Sequence, residues 1–236
     1  MCRITGYVGD SAEDLQNLFK VFSEGSECDP WLKKAGINHT SHKDGWGFAI
    51  LDEKGLSHYR SALPVYEDAN KLPHPTGRFY ALLHSRLGSD QSLNGHVCAH
   101  PFSGSTDEAF LFFAHNGGVD CGTLPKRMVD SEWAFKQILE AGGVAQVLPL
   151  LKEKTRPNSA LNLLILNIPR DPAKSPAIQY LNYFKEPKNE GRIGYYQMYT
   201  ASLPGGKAVF SSTVADLGVK GASNVQKAAF GKLLDL

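Results

Sequence analysis

The sequence predicts an α+β fold: layered sheets covered by helices, rather than a doubly wound parallel sheet. Three observations carry this reading. Strand-like runs fill the first half, at residues 3–8, 45–51, 56–60, 79–85 and 109–114, with 45–51 and 56–60 as the arms of a hairpin. Two stretches with helical spacing of apolar residues follow, at 131–140 and 144–154. Strand-like runs then return at 160–167, 178–185, 194–201 and 207–211, joined by Pro and Gly turns. Strands therefore bracket a helical middle, and no linker divides the chain, so residues 1–236 are read as one domain.

The elements can be justified in order. Residues 3–8 read as a first strand, with Gly6 inside. Residues 11–23 place Leu15, Leu18, Phe19 and Phe22 on one helical face, with Ser11 as cap and Glu13 and Asp14 in the first turn. Residues 24–43 are rich in Gly, Ser, Asp, Asn and His and read as loop. The run Asp52-Glu53-Lys54-Gly55 closes a hairpin. Residues 90–106 read as a long polar loop. The apolar strand 109–114 runs into His115-Asn116-Gly117-Gly118, a turn signature. Gly142-Gly143 separates the two helices.

Composition excludes several classes of function. A net charge of +1 and no block of Lys and Arg argue against nucleic-acid or anionic-membrane partners. The longest apolar runs, such as 161–166, are too short to span a bilayer, and the N-terminus lacks the apolar region of a signal peptide. The expected compartment is the cytoplasm. The four cysteines, at 2, 28, 98 and 121, form no C-x-x-C pair and are expected as reduced thiols. His96 and His100 are four apart, but they sit in a loop and no carboxylate motif completes a metal site. No phosphate loop is present. Neither a metal nor an organic cofactor is expected.

Five short features carry chemistry. Cys2 follows Met1 directly, and a residue this small permits removal of the initiator Met. Cys2 would then hold a thiol nucleophile and, with a pKa of roughly 7.7–8.0, an α-amino base in one residue. His42-Lys43-Asp44-Gly45-Trp46-Gly47-Phe48 places glycines around an aromatic at a strand start, which suits either a structural turn or close approach to a ligand. His84-Ser85-Arg86 ends a strand with a two-pronged donor for a carboxylate or a surface ion pair. Asn116 and Gly117 offer two N–H donors for an oxyanion, although Asn-Gly is also the standard hairpin turn. Asp130-Ser131-Glu132 starts a helix, with Asp130 as N-cap, as an anchor for a substrate ammonium, or both.

Taken in order, and with His100-Pro101-Phe102 among them, these features resemble the class II glutamine amidotransferase family, closest to its small stand-alone members. The matching motifs span about residues 2–132, and the last third matches only in its β-rich character. The resemblance implies a four-layer αββα sandwich of two antiparallel sheets, the N-terminal-nucleophile (Ntn) hydrolase fold. It implies Cys2 as nucleophile with its own amine as base, and Asn116 and Gly117 as the oxyanion hole. It implies Arg86 for the substrate α-carboxylate and Asp130 for the α-ammonium. Gly45 and Trp46 would line or shape the pocket. Ser89 offers a hydroxyl to the carboxylate. His115 would stand beside the oxyanion hole as a partner for a buried backbone group. This chain departs from the larger members in lacking an aromatic after Arg86, where Leu87-Gly88-Ser89 follows.

The activity expected from these residues is hydrolysis of glutamine or a γ-glutamyl compound through a Cys2 thioester, releasing glutamate and ammonia or an amine. The alternatives are a silent amino-acid-binding regulatory module, a glutaminase subunit serving a separate synthase, and a Cys protease using His84 or His115. The partners expected are a small-molecule substrate, with a separate synthase subunit or a second copy of the chain left open.

Overall fold

The computed structural model describes residues 2–90, 93 and 95–236. The expected removal of Met1 lies outside the described residues. Two antiparallel sheets stack face to face. The first has seven strands in the order β12-β10-β11-β1-β4-β2-β3. Its central strands are β1 (Cys2–Gly9), β4 (Phe79–Arg86), β2 (Trp46–Asp52) and β11 (Gly206–Ser211), flanked by β3 (Gly55–Ser61), β10 (Met198–Leu203) and β12 (Ser223–Lys227). The second runs β13-β8-β7-β6-β5, with β9 paired to β7. Its members are β5 (Phe102–Ser105), β6 (Ala109–Gly117), β7 (Ser159–Pro169), β8 (Ala177–Leu181), β9 (Phe184–Lys185) and β13 (Leu233–Asp235).

Alternation of side chains across each sheet makes the layers. Ile4, Ala49, Leu82, Ala114, Leu164, Ile178 and Val209 point inward and form the buried layer between the two sheets. Tyr7, Phe48, Phe79, Leu83 and Phe210 point outward from the first sheet onto α1 (Ala12–Glu27), through Leu15, Leu18, Phe19 and Phe22. Leu111, Phe113, Leu163 and Ile165 point outward from the second sheet onto α3 (Asp130–Glu140) and α4 (Val144–Lys154), through Phe135, Ile138, Val147 and Leu151. The result is the αββα sandwich expected from the motifs. Each apolar face is covered by the next layer, which removes it from water.

The structure corrects several local expectations. The loop expected at 24–43 contains α2 (Pro30–Lys34), capped by the Asp29 carboxylate accepting from the Trp31 N–H at 3.0 Å. The loop expected at 90–106 ends in β5, although residues 91, 92 and 94 lie outside the described residues. His115-Asn116-Gly117 is not a turn. It continues β6, with Asn116 opposite Asn162 and Gly117 opposite Leu161. The strand expected at 194–201 begins as the helix α5 (Glu190–Tyr196) and becomes β10 only at Met198. Asn189 sets that helix start by accepting the Arg192 N–H at 2.8 Å, a local cap that outweighs the β preference of the aromatics behind it. A last helix, α6 (Ser212–Leu217), and strands β12 and β13 follow where no element was expected. No helix among the described residues is long and apolar enough to cross a membrane.

Candidate active site

Most of the expected site residues converge at one end of the sandwich, where strands of both sheets terminate together. Cys2 opens β1, and antiparallel register sets it directly opposite Arg86 at the end of β4. Asn116 and Gly117 end β6 in the facing sheet, and Asp130 opens α3. A cavity of about 370 Å³ lies among them, with Cys2, Arg86, Ser89, His115, Gly117 and Asp130 in its wall.

Cys2 is held by its main chain, and its carbonyl accepts from the Tyr195 hydroxyl at 3.3 Å. Its N–H donates to Asn116 Oδ1 at 2.8 Å, across the gap between the sheets. That bond fixes which end of the Asn116 carboxamide faces which way. Asn116 Nδ2 is buried without a hydrogen-bond partner among the described residues, a disposition suited to receiving an acceptor from a ligand. Behind it, Asn162 ties the same end of the facing sheet to neighbouring segments, with Nδ2 donating to the Tyr196 carbonyl at 2.6 Å and Oδ1 accepting the Tyr183 N–H at 3.0 Å.

Gly117 has φ +154°, and a Cβ there would sit 1.7 Å from the Ala160 carbonyl oxygen. Close passage of β6 against β7 therefore requires glycine. Gly118 N–H donates to the same carbonyl at 3.1 Å.

Asp130 is the first residue of α3, and Val129 occupies the capping position. The N-cap expectation is thus displaced by one residue. The carboxylate is nonetheless anchored: Oδ1 accepts the Ser131 N–H at 2.9 Å, and Oδ2 accepts the Val119 N–H at 3.2 Å. Arg156 approaches Oδ2 at 3.6 Å and shares the cavity wall with Ser159, Arg192 and Tyr196. No motif in the sequence distinguishes these four. Ser159 comes from β7, Arg156 from the segment just before it, and Arg192 and Tyr196 from α5, which only packing brings to this end.

His115 is buried and neutral. Burial pushes its imidazole down to about 4, against the opposing pull of the Asp130 charge. Nε2 lies 3.4 Å from the Ala160 carbonyl, which can only accept, so the ring proton belongs on Nε2. Nδ1 then accepts from the Ser131 hydroxyl at 2.8 Å. The ring thus pins β6 to α3 and β7. Burial likewise drives His84 to about 3, and its Nε2 donates to the His115 carbonyl at 3.3 Å.

Gly45 and Trp46 do not reach the cavity wall. Trp46 is fully buried on the outer face of the first sheet, among Phe19, Phe48 and Tyr59. Its indole N–H donates to Asp68 at 3.0 Å. Alternation along β2 turns it away from the site, which corrects the expectation that it lines the pocket. Gly45 acts through its backbone: its carbonyl accepts the Arg86 N–H at 2.8 Å, so it braces the strand end that carries Arg86.

The start of β1 is anchored by a buried network that the sequence did not disclose. Arg3 Nε donates to Asp29 Oδ2 at 2.6 Å, and His42 Nε2 donates to the same oxygen at 2.7 Å. Thr213 donates to Asp29 Oδ1 at 2.6 Å. Burial alone would raise the Asp29 carboxyl, but Arg3 and His42 hold it below the usual carboxylate range.

Two antiparallel sheets between helical layers, with a cysteine at the start of a central strand, make this an Ntn-hydrolase fold. Two solved structures share it. Glutamine phosphoribosylpyrophosphate (PRPP) amidotransferase from B. subtilis, complexed with ADP and GMP, superposes with a TM-score of 0.63 at 15% identity, covering 99% of this chain and 47% of that one. An allosteric regulatory enzyme of purine biosynthesis superposes with a TM-score of 0.62 at 16% identity, covering 99% and 46%. The chain spans about half the length of these structures. The sequence matches no protein-family model and no curated protein.

Proposed function

We propose that the protein hydrolyses the side-chain amide of glutamine or of a γ-glutamyl compound through a thioester on Cys2. The observation that carries this reading is the Cys2–Asn116 pairing: it ties Cys2, which lines the cavity, to the Asn116 oxygen and leaves Asn116 Nδ2 without a partner among the described residues. Arg86, Asp130 and Ser89 in the same wall provide for the charges of an α-amino acid. The motif order and the shared fold support the same assignment.

In this mechanism, removal of Met1 leaves Cys2 with a free amine. The amine takes the thiol proton, and sulfur adds to the γ-carbonyl carbon. The oxyanion is stabilised by Asn116 Nδ2 and the Gly117 N–H. Collapse breaks the C–N bond, and the ammonium of Cys2 returns its proton to the leaving amine. Water then adds to the thioester, its proton passing to the amine, and glutamate leaves as the thiol is restored. His115 and His84 take no part as bases, because each ring donates to a carbonyl within the fold.

The test is a panel of glutamine and γ-glutamyl substrates against wild type, Cys2→Ala and Asp130→Ala, with intact mass read in parallel. Cys2→Ala should abolish turnover and keep substrate binding. Asp130→Ala should raise KM chiefly for substrates with a free α-amine. Retained Met1, or wild-type rates in Cys2→Ala, would refute the mechanism.

A further inference from the structure

His100 is the most unusual polar residue near the cavity. It is 3% exposed, it lines the same wall as Cys2 and Arg86, and neither ring nitrogen has a hydrogen-bond partner among the described residues. Buried polar atoms are rarely left so in folded proteins, because each unmet group carries its full desolvation penalty. The ring is nevertheless firmly held. It stacks on His84 with centroids 4.1 Å apart and meets Phe102 edge-on at 4.5 Å. The backbone before it is clamped by Arg60, whose guanidinium group donates to the carbonyls of Val97 and Ala99 and lies 5.0 Å over the Phe102 ring. On the other side, the β2 backbone passes so close that a Cβ at Gly47 would lie 2.4 Å from the His100 carbonyl oxygen. Several elements thus hold in place a ring that has no polar partner of its own.

The surroundings select what that ring can bind. Burial keeps His100 neutral, and the neighbouring His84, His115, Arg86 and Arg60 reinforce this. A neutral imidazole has one N–H to give, and its charged neighbours are cations. The ligand group that satisfies both is an anion with more than one acceptor atom. Resting on the function proposed above, we infer that His100 is a second binding residue for the substrate α-carboxylate, donating its ring N–H beside the Arg86 guanidinium.

The inference is tested by pairing a residue change with a substrate change. Glutamine carries the α-carboxylate, and 4-aminobutanamide is the same amide and amine without it. His100→Phe keeps the aromatic stack and removes the N–H. It should raise KM for glutamine by about 10–100-fold, the range for one hydrogen bond to a charged group, with kcat little changed. Turnover of 4-aminobutanamide should be unaffected, so the preference for glutamine over the analogue should fall by the same factor. His100→Gln, which restores an N–H, should recover part of that preference. Thermal shift by glutamate, on folded protein checked by circular dichroism, gives a readout independent of turnover: wild type should be stabilised, and His100→Phe much less so. Equal losses on both substrates, or an unchanged glutamate shift in His100→Phe, would overturn the assignment. Absence of turnover in wild type, with the glutamate shift intact, would count against the hydrolase reading alone.

Discussion

The Cys2 main-chain N–H donates to Asn116 Oδ1 at 2.8 Å, joining the first residue of β1 in one sheet to the end of β6 in the facing one. One bond thereby orients two groups. It assigns the Asn116 side-chain oxygen to the Cys2 N–H and ties the start of β1 across the sandwich. The geometry makes Asn116 a selective probe of the proposed chemistry.

Asn116→Asp keeps the oxygen that receives the Cys2 N–H and removes only the Nδ2 donor. The expected outcome is a fall in kcat of about 10²–10³-fold, the usual effect of losing one oxyanion donor, with KM within a few fold. Steady-state kinetics check it. A KM effect with unchanged kcat would place Asn116 in substrate binding instead.

Trp46→Phe addresses the corrected position of this residue. Its indole packs among Phe19, Phe48 and Tyr59 and donates to Asp68. Removing it should cost about 1–3 kcal/mol of stability through lost packing and one lost hydrogen bond. KM should not change. Urea denaturation read beside KM distinguishes this from a pocket-lining role.

Asp29→Asn probes the network under β1. The buried Arg3 guanidinium would keep its charge and lose its counter-ion. The expected loss is about 3–5 kcal/mol, typical of breaking one side of a buried pair. Activity at low temperature should suffer as well, since Arg3 adjoins Cys2. Equilibrium unfolding with wild-type stability would show the pair to be dispensable.

Stability should also fall as the solution is acidified. The folded-state values of His115, about 4, and His84, about 3, lie below the ordinary histidine value, and His42 and His100 are displaced in the same direction. Below about pH 6.5 the unfolded chain takes up protons that the folded rings refuse. Stability is therefore full above that pH and declines progressively toward pH 4. The depressed Asp29 adds a loss at lower pH, because its stabilisation is present above the unfolded carboxyl value and disappears as pH falls further. Thermal denaturation across pH 4–8 checks the sign. His115→Gln should flatten the upper part of the curve.

Much of the architecture was legible because periodicity reports burial. The apolar face of Leu15, Leu18, Phe19 and Phe22 is the face that α1 buries, and the apolar run at 109–114 is the middle of β6. Where local signals competed, tertiary contacts decided. Asn116-Gly117 has the chemistry of a turn but remains strand, since pairing with Leu161 and Asn162 carries the ladder past it. Residues 194–196 have β-forming aromatics but lie in α5, and α5 packs against α2.

The sequence by itself determined the layered α+β class, the strand that carries Cys2, and five residues, Arg86, Ser89, His115, Gly117 and Asp130, that share the cavity wall with it. Those follow from local composition and from motifs confined to a few neighbouring positions. The tertiary structure alone decided the register that sets Cys2 opposite Arg86, the face that turns Trp46 into the core, and the arrival of Arg156, Arg192 and Tyr196 from distant elements. It also decided that His100 is buried with no partner for either nitrogen among the described residues. Register and facing depend on how whole sheets pair and stack, and no short stretch of residues encodes that.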